Sequence, residues 1–220
     1  MSSATLYRAS GLALILGAVL GSIGNILTAA LFAGNDPHQY LTPLYTVVTL
    51  VSLIGEVLLL LGLPSICARQ RERAGWLGFI GIILAFLGGS LFAGLSVTGL
   101  LFQPWLAQVA PQLAAGNGPP AFFVIFLVAG VLFALGGILL GIAVMRAGIL
   151  PRWAGLLLLI GAVLNVVDVP LSDTLGAIVA SVAFVLFAAG LGWMGYALTT
   201  ESRVRIEAVQ PIAAPAKIVG

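Results

Sequence analysis

The side chain best placed to do chemistry in this 220-residue chain is Glu56. It sits near the middle of an apolar run of about 24 residues, 43–66, and no other ionisable residue lies so deep in an apolar run. A charge at the centre of a membrane helix costs about 2.5–3.5 kcal/mol on insertion scales. The neutral acid is therefore the expected resting form unless water or a cation reaches it. Two uses follow. The carboxyl could be a proton or cation site, loaded and unloaded as helices rock. It could instead be a protonated acid that hydrogen-bonds Ser22 or Asn25 across the first and second apolar runs. Bonds of that kind average roughly 0.6 kcal/mol, enough for a neutral acid and too little to offset a buried charge. Pro64, two turns further on, would bend the same helix.

The rest of the composition narrows the chemistry by exclusion. There is one cysteine (Cys67), one histidine (His38) and one lysine (Lys217). That leaves no intramolecular disulfide, no thiolate metal cage, no bis-histidine haem site and no lysine for a Schiff base within the helices. No H-E-x-x-H, G-x-S-x-G or phosphate-loop pattern occurs. No enzyme, cofactor or metal site is expected. Asp36, His38, Asp168 and Asp173 could gather at one mouth of a bundle, but they stand in turns and at helix caps, where Asp is ordinary.

The elements that must hold Glu56 are read from hydrophobicity. The chain is 61% hydrophobic and 7% charged, against roughly 25% charged in soluble domains. A water-facing globule and a nucleic-acid platform are excluded. Six apolar segments emerge at about 11–33, 43–66, 75–101, 121–145, 153–169 and 174–198, long enough for helical membrane spans. The fifth is shortest, roughly 25 Å as a helix. Thr42-Pro43 and Ser172-Asp173 read as helix starts. Between the third and fourth spans, Trp105, Leu106, Val109 and Leu113 recur at helical spacing after Pro104. They predict a short interfacial helix. Residues 199–220 read as a mobile tail.

All nine basic residues fall on one side of this threading: Arg8, Arg69, Arg71, Arg73, Arg146, Arg152, Arg203, Arg205 and Lys217. The positive-inside rule then puts both termini in the cytoplasm. The odd-numbered spans also begin alike. Arg8 to Leu20 (R-A-S-G-L-A-L-I-L-G-A-V-L) matches Arg152 to Leu164 (R-W-A-G-L-L-L-L-I-G-A-V-L) without a gap, and Arg73 to Leu84 matches one residue shorter. Two glycines stand six apart in each: Gly11 and Gly17, Gly75 and Gly81, Gly155 and Gly161. The expected architecture is all-α, a polytopic membrane protein of three parallel helical-hairpin repeats. Aligning the even spans through Leu61-Gly62, Leu140-Gly141 and Leu191-Gly192 sets Leu135 and Leu186 opposite Glu56.

At Gly148-Ile149-Leu150-Pro151-Arg152-Trp153 the chain resembles a diffuse group of uncharacterised bacterial integral membrane proteins, in which a G-x-L-P-R-W turn joins two helices on the cytoplasmic side. The resemblance implies a bacterial cytoplasmic-membrane location and carries over no catalytic or binding residue. The sparse polar content favours a non-enzymatic structural or accessory protein that binds lipid, another membrane subunit or a second copy of itself. A small transporter or channel using Glu56 is the alternative.

Overall fold

The computed structural model describes residues 3–32, 36–70, 73–114, 120–167 and 173–209. Within these it is all helix, without a strand: α1 (Ser3–Leu31), a 3-10 turn (Pro37–Leu41), α2 (Pro43–Gln70), α3 (Gly75–Val109), α4 (Pro111–Ala114), α5 (Pro120–Ala147), α6 (Arg152–Val167) and α7 (Asp173–Val209). Five stretches are long and apolar enough to cross a bilayer: Thr5–Leu31, Pro43–Gln70, Gly75–Val109, Phe122–Ala147 and Leu175–Thr200. The fifth expected span is the short one here too; α6 has 16 residues, about 24 Å of helix. These lengths and this hydropathy make the chain a multi-pass membrane protein in architecture.

Two boundaries differ from the sequence reading. The interfacial helix expected after Pro104 is not separate. α3 runs through Pro104 to Val109, and only the single turn α4 stands apart. A proline removes one amide donor, and a helix already continuous on both sides can absorb that loss as a bend. At the other end, α7 continues past residue 198 to Val209. The Ser172 cap, Asp168, the Asp173 side chain, and residues 210–220 of the expected tail lie outside the described residues.

The G-x-L-P-R-W turn has a clear local logic. Gly148 has φ +63°, the left-handed stop of α5, and its amide bonds the carbonyl of Val144. Leu150 then drops into the core at 2% exposure. The carbonyl of Pro151 accepts from the amide of Ala154 as α6 begins.

Consecutive long helices pack side by side, and α7 returns to α1, closing a ring. Hydrophobic burial gives little drive between helices in lipid, so close backbone approach at small residues takes its place. A Cβ added at Gly17 would stand 2.8 Å from the carbonyl of Gly55, joining α1 to α2. Gly81 meets the amide of Leu140 (α3–α5), Gly141 the carbonyl of Gly155 (α5–α6), Gly161 the carbonyl of Ala183 (α6–α7) and Gly11 the carbonyl of Gly195 (α7–α1). The sixth seam, α2–α3, is the lightest in the ring. Its glycines meet side chains instead: Gly89 faces Leu60 and Gly99 faces the Tyr45 hydroxyl.

The core occupies one half of the ring. Leu14, Leu63, Ile66, Leu140, Val144, Leu158, Phe187, Leu191 and Met194 are buried there. Exposed Arg8, Arg69, Arg73, Arg146 and Arg152 stand at that same end, beside contacts such as Gly11–Gly195, Gly62–Leu14, Gly78–Ala143 and Gly155–Met145.

Gly55 should tolerate no side chain, because its Cβ would fall on the backbone of Gly21. Gly94, with nothing within 4 Å, is the matched control. Gly55→Leu is expected to lower stability by about 1–3 kcal/mol or to prevent folding, whereas Gly94→Leu stays within about 0.5 kcal/mol of the parent. Thermal unfolding of the detergent-solubilised pair reads the difference.

Candidate functional site

Helix periodicity locates the interior of the ring. Residues seven or eleven apart fall within about 20° of each other around a helix. Asn25 therefore stands three turns along the face of Leu14, and Glu56 two turns along the face of Leu63. Ser96 is three turns from Ala85, and Asn165 two turns from Leu158. The lower member of each pair is closed off: Leu14 is 0% exposed, Leu63 3%, Ala85 1% and Leu158 0%. All four upper members are partly exposed. On α5, Gly137 is buried against Phe187 and Ala162, while Gly130, two turns above it, has nothing within 4 Å. Packing thus closes the arginine-bearing half and loosens over the other, where the inward faces turn from leucine to carboxyl, hydroxyl and carboxamide.

Glu56 is held on α2 at the α2–α3 seam. The hydroxyl of Ser96 lies 3.1 Å from its Oε1 and 2.9 Å from its Oε2. Three turns before Glu56, the Tyr45 hydroxyl donates across the same seam to the carbonyl of Gly99, at 3.2 Å. One turn from Ser96, Phe92 stacks edge-on to Phe126 and Phe133, and Phe133 lies 4.2 Å, centroid to centroid, from Phe187. Phe187 belongs to the packed core and Phe133 packs against it.

The partners expected for Glu56 were on the wrong helix. Among the described residues no hydrogen bond joins it to Ser22 or Asn25. The reason lies in how α1 meets α2: Gly17, Gly21 and Gly24 form that face, and they admit Gly55, Leu59 and Ser52 of α2. Ser22 stands one turn above Ala18, which faces Gly192 of α7. Asn25 shares the interior face and not the bond. Ser96 carried little signal, since Ser90 and Thr98 stand on the same helix and nothing in the sequence ranked it above them or above Ser22. Comparison with family models, curated proteins and solved structures finds no match.

The register of the even helices also changes. Leu135 is 47% exposed and faces outward, unlike Glu56. The residue that packs as Gly55 does, backbone against the long helix before it, is Gly136, on Ala85. Gly137 then takes the place of Glu56. Pro64 is exposed within a continuous α2. Asp36 caps the 3-10 turn, its Oδ1 accepting from the amide of His38 at 3.0 Å. No cluster of three metal-ligating side chains occurs among the described residues.

Ser96→Ala leaves the carboxyl without its one partner, while Glu56→Gln keeps a group that can both accept from and donate to Ser96. Denaturation in detergent should find Ser96→Ala less stable than the parent by about 0.6 kcal/mol, and at most about 1.7. Glu56→Gln should lie closer to the parent.

Proposed function

We propose that the chain is a bacterial cytoplasmic-membrane protein of six spans in three hairpins, with both termini in the cytoplasm. We further propose that it binds and passes a small solute or proton at Glu56 without transforming it. The sixth span in this reading is α6, whose length suits an upright helix or a locally thinned bilayer. The glycine contacts support the hairpin reading: Gly17, Gly81 and Gly161 each meet the returning helix of their own hairpin. The exposed arginines at one end support the orientation.

One observation carries the functional reading. The chain's one mid-span carboxyl sits on the one seam of the ring that, among the described residues, lacks a backbone-to-backbone glycine contact. Side-chain contacts can be exchanged for others far more cheaply than a glycine-packed backbone can be separated. The Glu56–Ser96 bond is then a latch, which water or a bound solute competing for the carboxyl would release from the half of the ring lined by Asn25, Ser96 and Asn165.

An accessory role has its own support. Every residue from Phe122 to Val128, around the full circumference of α5, is exposed, which would suit a partner helix or a second copy alongside lipid.

Reconstituted in vesicles with an imposed pH gradient, the parent should dissipate it faster than empty vesicles, and Glu56→Gln should lose most of that flux while folding normally. Equal, background flux from both would favour the accessory reading. Topology is checked separately on whole cells. A cysteine at position 38 in a Cys67→Ala background should react with an impermeant maleimide, and Cys67 itself should not.

A further inference from the structure

The α2–α3 seam has an opening at its arginine-bearing end. A cavity of about 60 Å³ lies between the last turn of α2 and the first turns of α3, lined by Cys67, Gln70, Ala74, Gly75, Gly78 and Phe79. At the same end the neighbouring seams are closed by Gly62 on Leu14 and Ser10 (α1–α2) and by Gly78 on Ala143 (α3–α5). Gly75 instead has nothing within 4 Å and a φ of +56°.

Gln70 makes this opening chemically specific. Its residue exposure is 1%, it lines the cavity, and among the described residues neither its Nε2 nor its Oε1 meets a hydrogen-bond partner. Native proteins rarely leave both ends of a carboxamide buried and unpaired. An occupant must offer an acceptor to Nε2 and a donor to Oε1. A bare metal ion or halide supplies only one of these.

Charge selects further. The cavity abuts the N-terminus of the 35-residue α3, where Ala74 gives no side-chain cap and the first turn holds no acid. Such a terminus favours an anion. Exposed Arg73 immediately precedes it. On the remaining side Phe79 and Ile82 line the cavity. Phe79 is 48% exposed and lies edge-on to Trp76, which is 79% exposed. Such a surface suits hydrocarbon. Volume sets the last limit, since about 60 Å³ of space open to water holds a few water-sized groups, at about 10–15 Å³ each. That admits a phosphate or a hydroxyl head and excludes an acyl chain.

We propose that the cavity between the ends of α2 and α3 is a headgroup site for a hydroxylated phosphate ester, supplied by an anionic phospholipid of the phosphatidylglycerol type. The phosphate sits at the α3 N-terminus and accepts from Gln70 Nε2. A head hydroxyl donates to Gln70 Oε1, and the acyl chains run outside along Phe79 and Ile82. This site does not depend on Glu56 having any transport role.

Cys67 is the only cysteine in the chain and lines the site, so its alkylation reports occupancy. In nanodiscs of phosphatidylcholine, adding phosphatidylglycerol should slow N-ethylmaleimide labelling of Cys67 by about fivefold or more. Gln70→Leu should remove that protection. Soluble glycerol phosphate, added to discs of phosphatidylcholine alone, should leave the rate unchanged; slowing there would overturn the lipid as the source. Equal rates in both disc types would overturn the site. Native mass spectrometry of the parent chain gives a check independent of any variant. Retention of phosphatidylglycerol over phosphatidylcholine is expected, and retention without preference would overturn the proposal.

Discussion

Close approach of backbone to backbone, at positions where no side chain intervenes, is the interaction on which this fold rests. In a soluble bundle, leucine against leucine would suffice, because water drives the contact. Here lipid is as good a neighbour as leucine, and helices gain by approaching closely enough for dispersion and weak backbone contacts to accumulate. Gly17, Gly81, Gly141, Gly161 and Gly11 each bring a helix backbone to within 2.6–2.8 Å of where a Cβ would stand. Such contacts are stiff, since they cannot be relaxed by turning a rotamer. They fix five seams and leave the geometry of the sixth to softer side chains.

The properties of the α2–α3 seam follow from that difference. Where Leu60, Glu56 and Tyr45 intervene, the helices stand further apart and polar groups can be accommodated at mid-depth. A carboxyl placed at Gly17 or Gly55 would have no room. At the seam it has a hydroxyl in reach and a looser half-ring before it. Lost contact at this seam also leaves room for the cavity at Gln70.

Much of the architecture was legible because the solvent leaves so few options. Apolar run length gave the helices, and a single glycine, Gly148, with Leu150 and Pro151 gave a turn whose parts each have a structural use. Legibility failed where tertiary choice, not local pattern, decided the outcome. Pro104 looked like a boundary because a proline lacks a donor, yet the helix tolerated it. Glu56 was singled out by depth alone. Its partner was not, because Ser22, Asn25 and Ser96 are equally plausible until the glycine faces say which helices touch and through which side. Leu135 was set opposite Glu56 by counting from a shared Leu-Gly pair, and the packing of Gly136 on Ala85 moved that register.

Gln70 escaped the sequence reading for a deeper reason. At the end of an apolar helix, beside Arg69 and Arg71, a glutamine looks like one more interfacial residue facing water. Burial turned it inward, and burial depended on α3 beginning with a left-handed glycine, so that the chain folds sharply back over α2. A polar side chain trapped in that way is unfavourable unless something completes it. The lipid that surrounds a membrane protein is present at far higher local concentration than any soluble ligand. A weak, mismatched-looking pocket at a helix end can therefore be well occupied in the bilayer and look incomplete without it. The same reasoning bears on the seam as a whole. A headgroup wedged between the ends of α2 and α3 would hold apart the one pair of helices not already joined backbone to backbone, and so set how readily Glu56 and Ser96 separate.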